Sequence, residues 1–306
     1  MTLHVFANIV TPYGTAANNR AETDGNITTL QKLVWQGQVH STVSAEAIRF
    51  SLRRLLGETA PTNRRWDEDA RGNIWRDPGF AGWKKERGET FIDDDLLGFM
   101  SAEAGKEEGE SGTAQVRRAV LEVTRAVSLT PWPGDVTFNA AAPGATPSAQ
   151  KKGSNPVPYG TEVHATRYQF GLALTPDRLR DASRAEAALR ALGNLRTVAG
   201  NHARFLFDFA PDSIVFRITD DPAPRLLYCF QTFDQGRTVE IPELERRVRA
   251  GDVDPKELVL GGALAALENP CTEYLRREGA MLCDGVKSAV DAVCVRIREK
   301  LSSLRG

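Results

Sequence analysis

Two long stretches without hydrophobic periodicity, residues 57–112 and 131–159, interrupt a chain whose other segments repeat at strand or helix spacing. Such a chain must build its core from segments far apart in sequence, with the two stretches as excursions from it. The first gathers Gly, Pro and charge, and its tryptophans Trp66, Trp75 and Trp83 are too apolar for a disordered tether. The second is rich in Pro, Gly, Ala and Ser, carries Lys151-Lys152-Gly153 in its middle, and reads as a long hairpin or protrusion.

Between the excursions the pattern is α+β. Leu3 to Val10 reads as a strand that runs into the turn-rich Thr11-Pro12-Tyr13-Gly14. Ser44 to Leu56 reads as a helix, with Ser44 as N-cap, Glu46 in the first turn, and a buried stripe of Ala45, Ile48, Leu52 and Leu55. Val116, Val120, Val123 and Val127 predict a second core helix. Tyr168, Phe170, Leu172 and Leu174 alternate as a strand, and Thr175-Pro176-Asp177 begins a helix with Leu179, Ala182, Leu189 and Leu192 inward. Alternation at Phe205-Phe207-Phe209, Ile214-Phe216-Ile218 and Leu226-Tyr228-Phe230 predicts three strands, and Asp284 to about Leu304 a closing helix.

The composition of these 306 residues, 41% hydrophobic and 26% charged, is that of a soluble globular protein large enough for a sizeable core. No apolar run approaches the length of a membrane span, and the first residues lack the basic and apolar regions of a signal peptide, so the expected setting is cytoplasmic, with no membrane partner. Cys229, Cys271, Cys283 and Cys294 are too widely spaced for a zinc or redox pair and are expected as buried free thiols.

A net charge of −1 argues at first against a nucleic-acid partner. The charge is segregated, however. Residues 86–110 hold nine acids against two bases, whereas residues 41–65 carry +3 and residues 151–204 carry +5. A polyanion responds to such local patches rather than to the sum.

Phosphate loops, dinucleotide fingerprints, zinc-protease and nucleophile-elbow motifs are all missing, and His4, His40, His164 and His202 lack ligand spacing. Asp93-Asp94-Asp95, with Glu89 upstream, supplies enough oxygens for a divalent cation, but neighbouring side chains of an extended segment point to opposite faces. The commoner reading of such a run is a solvated face or a contact for a basic partner. On the helix from Ser44, Glu46, Arg49 and Arg53 fall on one polar face. There the arginine forks and the free N–H groups of the first turn suit a phosphate, while a solvent-facing helix is the commoner explanation. Residues 193–204 bring Gly, Asn, His and Arg together before the Phe205 segment, a composition that lets a backbone approach a ligand closely.

Three segments together resemble the DevR/Cst family of CRISPR-associated proteins, the repeated backbone subunits of type I Cascade, most like subtype I-B. They are Gly25-Asn26-Ile27-Thr28-Thr29-Leu30-Gln31-Lys32, Val43-Ser44-Ala45-Glu46-Ala47-Ile48-Arg49-Phe50-Ser51-Leu52-Arg53, and Val198-Ala199-Gly200-Asn201-His202-Ala203-Arg204. One departure is Gly200-Asn201, where the resemblance leads to the expectation of two glycines.

The resemblance implies a ferredoxin-like palm, a modified RNA-recognition-motif fold, made of residues 1–56, 113–130 and 161–306. Fingers from 57–112 and a thumb hairpin from 131–160 would be inserted in it. It implies a non-catalytic subunit without cofactor or metal that polymerises head to tail on CRISPR RNA. The guide would then be presented to target DNA among the other Cascade subunits, so that base pairing reads the sequence. Ser44, Arg49, Arg53 and Arg20 would grip RNA phosphates, with Asn18, Asn26, Lys151, Lys152, His202 and Arg204 completing the RNA-binding set. Two other functions stand beside it: a metal-dependent ribonuclease using Asp93 to Asp95, and a transcriptional autoregulator, as the family label suggests.

Overall fold

A computed structural model describes residues 2–17, 22–86, 88–103, 113–144, 157–198, 206–267 and 269–305. Its centre is strand β1, His4–Val10, which reads as a nearly unbroken apolar run because both of its faces are covered. Val5, Ala7 and Ile9 face one core, and Phe6 and Val10 face another. Asn8, the polar exception, is buried and donates to Gln169 at 3.2 Å.

β1 pairs antiparallel with Tyr168–Leu174 on one side and Ser213–Thr219 on the other. Beyond Ser213–Thr219 lie Leu258–Gly262 and then Met281–Cys283. Beyond Tyr168–Leu174 come Ala126–Ser128, Gln38–Val43 and Lys32–Trp35, while Leu121–Val123 also pairs with Tyr168–Leu174. The first face is covered by helix α1, Ala45–Thr59, and by the helices Arg184–Gly193 and Val286–Arg305. Pro242–Arg249 and Pro270–Arg277 cover the second.

α1 begins as its sequence predicts. Ser44 accepts a hydrogen bond from the Ala47 N–H at 3.2 Å, Glu46 sits in the first turn, and Ile48, Leu52 and Leu56 are buried. The strands over 168–174 and 213–219 and the closing helix also form as expected.

Other segments differ. Val116, Val123 and Val127 lie on three short strands, Thr113–Arg117, Leu121–Val123 and Ala126–Ser128, with Val120 in the bend between the first two, instead of on a helix. β-branched residues suit strands, and the bends between the short pieces imitate helical spacing. Residues 206–209 form no strand, although Phe207 and Phe209 are buried against Tyr168 while Leu206 is exposed; Phe205 lies outside the described residues. Alternation of burial here comes without a partner ladder.

Residues 226–230 are likewise irregular. The Gln169 side chain stands in for a ladder by accepting from the Phe230 N–H and donating to its carbonyl. After Thr175 the chain makes a 3-10 turn over Pro176–Arg178, and the helix begins only at Arg184. Cys229 and Cys294 are buried free thiols, whereas Cys271 and Cys283 are half-buried.

The two aperiodic stretches carry structure of their own. The first contains a hairpin of Arg64–Asp67 and Gly72–Trp75, helix α2 over Ile92–Leu97, and the strand Phe99–Glu103 paired with Thr113–Arg117. The second contains Val136–Ala141 paired with Val157–Glu162, as a hairpin requires. No described helix is long and apolar enough to cross a membrane.

Candidate nucleic-acid interface

The three aspartates, expected on a solvated face or against a basic partner, are the most buried acids among the described residues, at 1%, 2% and 0% exposure. Their local sequence explains the reversal. Ile92, Leu96 and Leu97 bury one side of α2 in the main core, and a helix this short brings its acidic first turn in with them.

Each carboxylate then needs partners, since an unpaired buried charge costs several kcal/mol. Asp93 accepts from the Asn63 N–H at 2.7 Å, the Arg64 N–H at 3.0 Å and Arg53 Nε at 3.2 Å. Asp94 accepts from Asn63 Nδ2 at 2.9 Å. Burial, reinforced by the charge of Asp93, pushes the Asp94 carboxyl up to about 7. Asp95 accepts from Arg184 Nη1 at 2.8 Å, the Arg180 N–H at 3.1 Å and Arg117 Nη2.

The donors around this acid run come from four separate segments, at 53, 63–64, 117 and 180–184, so it acts as a buried clasp. Among the described residues no group of three or more His, Cys, Asp or Glu could hold a metal ion. The oxygens of Asp93 and Asp95, which a metal-dependent ribonuclease would turn to a cation, are here turned to N–H and guanidinium donors.

The clasp also redirects the basic face of α1. Arg49 donates through Nη2 to the Leu97 carbonyl, and Arg53 is tied to Asp93 with only 15% of its side chain exposed. Both arginines expected to face a phosphate thus hold the insertion against α1. Ser44 caps the helix, so its hydroxyl is shared with the first-turn N–H groups.

Asn26 stands in the turn of the Thr23–Asp24 and Ile27–Thr28 ribbon, donates to the Pro158 carbonyl at 3.4 Å, and accepts from the Gly160 N–H at 3.0 Å. It therefore ties this ribbon to the 157–162 strand. Asn18, Arg20, Lys151, Lys152, His202 and Arg204 lie outside the described residues.

The described residues on either side of 18–21 and 199–205 make contacts of their own. Ser51, on α1, donates to the Thr197 carbonyl at 2.9 Å. Phe207 packs so closely on Gly14 that a Cβ there would come within 3.2 Å of its ring. Gly14 opens the strand Gly14–Ala16, which leads into the 18–21 segment. Phe207 thus meets the strand Gly14–Ala16, and Thr197 is held to α1.

A polar knot that sequence inspection did not single out supports the base of the 136–162 hairpin. Ser41 Oγ lies 2.7 Å from both His164 Nδ1 and the Tyr168 hydroxyl, and His40 Nδ1 lies 2.7 Å from the Ser128 carbonyl. Burial pushes the His164 imidazole down to about 4. Lys32 pairs with Glu162 at 2.6 Å and lies 4.0 Å over the Trp132 ring. Strand alternation at Gln38–Val43, with Ser41 inward, was the available signal, but polar inward residues disguise it.

Residues 13–180 match the model of a family described as CRISPR-associated negative auto-regulator DevR/Csa2. A protein of Myxococcus xanthus (strain DK1622), described as CRISPR-associated protein Cas7/Cst2/DevR, is 62% identical over 299 residues, 97% of this chain and 98% of that protein. The fold is similar to a chain of a solved "CRISPR RNA-guided surveillance complex, pre-nicking", with a TM-score of 0.59 and 14% identity over 97% of this chain and all of that one. A chain of a second "CRISPR RNA-guided surveillance complex" gives 0.55 and 16%, over 97% of this chain and 99% of that one.

Proposed function

The chain belongs to the DevR/Csa2 family of CRISPR-associated proteins, and we propose that it is a non-catalytic backbone subunit of a type I Cascade surveillance complex. Copies of it would stack head to tail on the CRISPR RNA, hold the RNA backbone, and leave guide bases free to pair with target DNA. The observation that carries this reading is the 62% identity, across almost the whole of both chains, to a protein described as Cas7/Cst2/DevR.

The strand order supports a ferredoxin-like palm. β1 lies between two antiparallel neighbours, with α1 and the 184–193 helix on one face. Residues 57–112 would be the fingers and 131–160 the thumb of that palm. The guide contacts would gather where α1 begins, at Ser44, joined by Arg20, Asn18, His202 and Arg204; the contacts of Thr197 with Ser51 of α1 and of Phe207 with Gly14 support that grouping. Asn26, Lys151 and Lys152 would contribute from the hairpin side. Arg49 and Arg53 would serve this site chiefly by holding the fingers to α1.

Co-expression with a CRISPR array and the neighbouring Cascade genes tests the proposal. Purified complexes should carry RNA of one length, with several copies of this chain per RNA. Recovery of the chain as an RNA-free monomer from cells making the guide would refute it. The family description also names negative auto-regulation, and sequence-specific binding of duplex DNA in the absence of guide RNA would favour that second reading.

A further inference from the structure

A cavity of about 550 Å³ lies between the second half of α1 and the hairpin of 64–67 and 72–75. Arg53, Arg54, Arg64, Arg65 and Arg76 line it, against Glu58 and Glu68. Glu58 is drawn off by Arg196, 3.0 Å away. Arg54, Arg65 and Arg76 are exposed and form no ion pair among the described residues.

Arg53 gives only its Nε to Asp93, and the buried Nε of Arg64 has no partner among the described residues. Burial, opposed by Asp93 and then aided by the charges of Arg64 and Arg49, lowers the hold of Arg53 on its proton. The pocket therefore has positive charge in excess of its own acids, and an anion entering it would relieve that crowding.

The walls of the cavity add a second requirement. Trp66 is 45% exposed and Phe50 36%, so two aromatic surfaces border the arginines. Across the hairpin Trp66 is paired with Asn73, which puts an indole face beside a carboxamide. Guanidinium forks suit phosphate, an exposed indole suits a planar base, and an amide reads the edge of that base. An acidic peptide would use the arginines and leave the indole and the amide idle. The volume is that of a site for one small ligand unit.

We propose that this pocket takes a phosphate together with the planar base next to it, the repeating unit of a single-stranded polynucleotide. It shares only Arg53 with the residues assigned above to guide RNA, so it can fail or hold independently of that reading. A free nucleotide has the same chemistry, and the test separates the two sources.

The full chain is titrated with a fluorescent hexa-deoxyadenylate, with ADP, inorganic phosphate and a hexaglutamate peptide as competitors. Arg54→Ala with Arg65→Ala should weaken the hexanucleotide at least tenfold and lower its salt slope by about 1.4, since each phosphate contact to a single strand contributes about 0.7. Trp66→Ala should cost roughly 5- to 150-fold, and Trp66→Phe should restore most of it, because base stacking on an aromatic ring is worth about 1–3 kcal/mol. All these side chains are exposed or half-exposed, and unchanged melting curves check the fold.

Competition by ADP as strong as by unlabelled hexanucleotide supports the pocket with a free nucleotide as its source, and weak competition supports a strand. Wild-type affinity in the variants, or competition by hexaglutamate equal to the nucleotide's, overturns the proposal. Loss of guide-RNA binding in variants at Ser44 or Arg204 bears only on the earlier reading.

Discussion

Arg53 Nε and Asp93 Oδ2 lie 3.2 Å apart across the seam between α1 and the 57–112 insertion. An arginine on the polar face of an amphipathic helix is thereby turned inward to a carboxylate that is 1% exposed. Replacing either partner should have unequal effects. Asp93→Ala leaves Arg53 and the N–H groups of Asn63 and Arg64 without their acceptor, and should cost about 3–5 kcal/mol. Arg53→Ala leaves Asp93 with two N–H donors and should cost less. Urea denaturation of both variants checks the order; equal losses would mean that the backbone bonds to Asp93 contribute nothing.

Helix capping and RNA contact can be separated at Ser44. Ser44→Ala should destabilise the protein by about 1 kcal/mol through loss of the bond to the Ala47 N–H. Ser44→Asp keeps a cap and a favourable charge at the helix N-terminus, so stability should be retained. That same charge should repel phosphate. RNA affinity that survives Ser44→Asp undiminished would remove the α1 N-terminus from the guide site.

Asp94 and His164 should impose opposite pH slopes on stability. Asp94 titrates near 7 in the folded chain against 3.8 when unfolded, so the folded state binds the extra proton between about 4 and 7. Its contribution is present at the acid end and is lost as pH rises through 7. His164 titrates near 4 against 6.5, so the unfolded state binds the extra proton between those values, and its contribution is lost as pH falls. Melting temperatures from pH 4 to 8 should therefore rise more steeply for Asp94→Asn than for the parent. His164→Gln should tilt the profile the other way, and parallel profiles for all three would show that neither group is so shifted.

Gly98 closes α2 at a φ of +70°, and a Cβ there would lie 2.4 Å from the Arg117 carbonyl oxygen. Gly98→Ala combines backbone strain with a collision against the main chain, and should destabilise by more than the roughly 1 kcal/mol of an ordinary glycine effect. Limited proteolysis should then cut residues 57–112 faster than the rest of the chain. Uniformly faster cleavage would mean that the insertion and the sheet open together.

The elements legible in the sequence were those whose burial pattern and backbone geometry agree. α1 carried a cap, an acidic first turn and an apolar stripe, and β1 was an apolar run broken only by His4 at its start and Asn8 within it. Legibility failed where one signal arose without the other. Phe207 and Phe209 alternate in burial with no strand to pair with, and the valines from 116 to 127 keep helical spacing across three bent strands. Asp93 to Asp95 looked solvated because their partners, from Arg53 to Arg184, lie about 20 to 90 positions away in the chain. The segregation of charge was legible, but not that part of it is spent internally.

Asp95 meets Arg117, Arg180 and Arg184, and Asp93 meets Asn63, Arg64 and Arg53, so the attachments of the insertion converge on one turn of α2. The 64–75 hairpin and the strands that flank 104–112 emerge on either side of that turn. This makes the hairpin and the Phe99–Glu103 and Thr113–Arg117 ribbon cassettes on a common hub: either can lengthen, shorten or change its charge without disturbing the joint that seats it. Divergence among relatives should therefore accumulate at the loop tips and stop at the three aspartates.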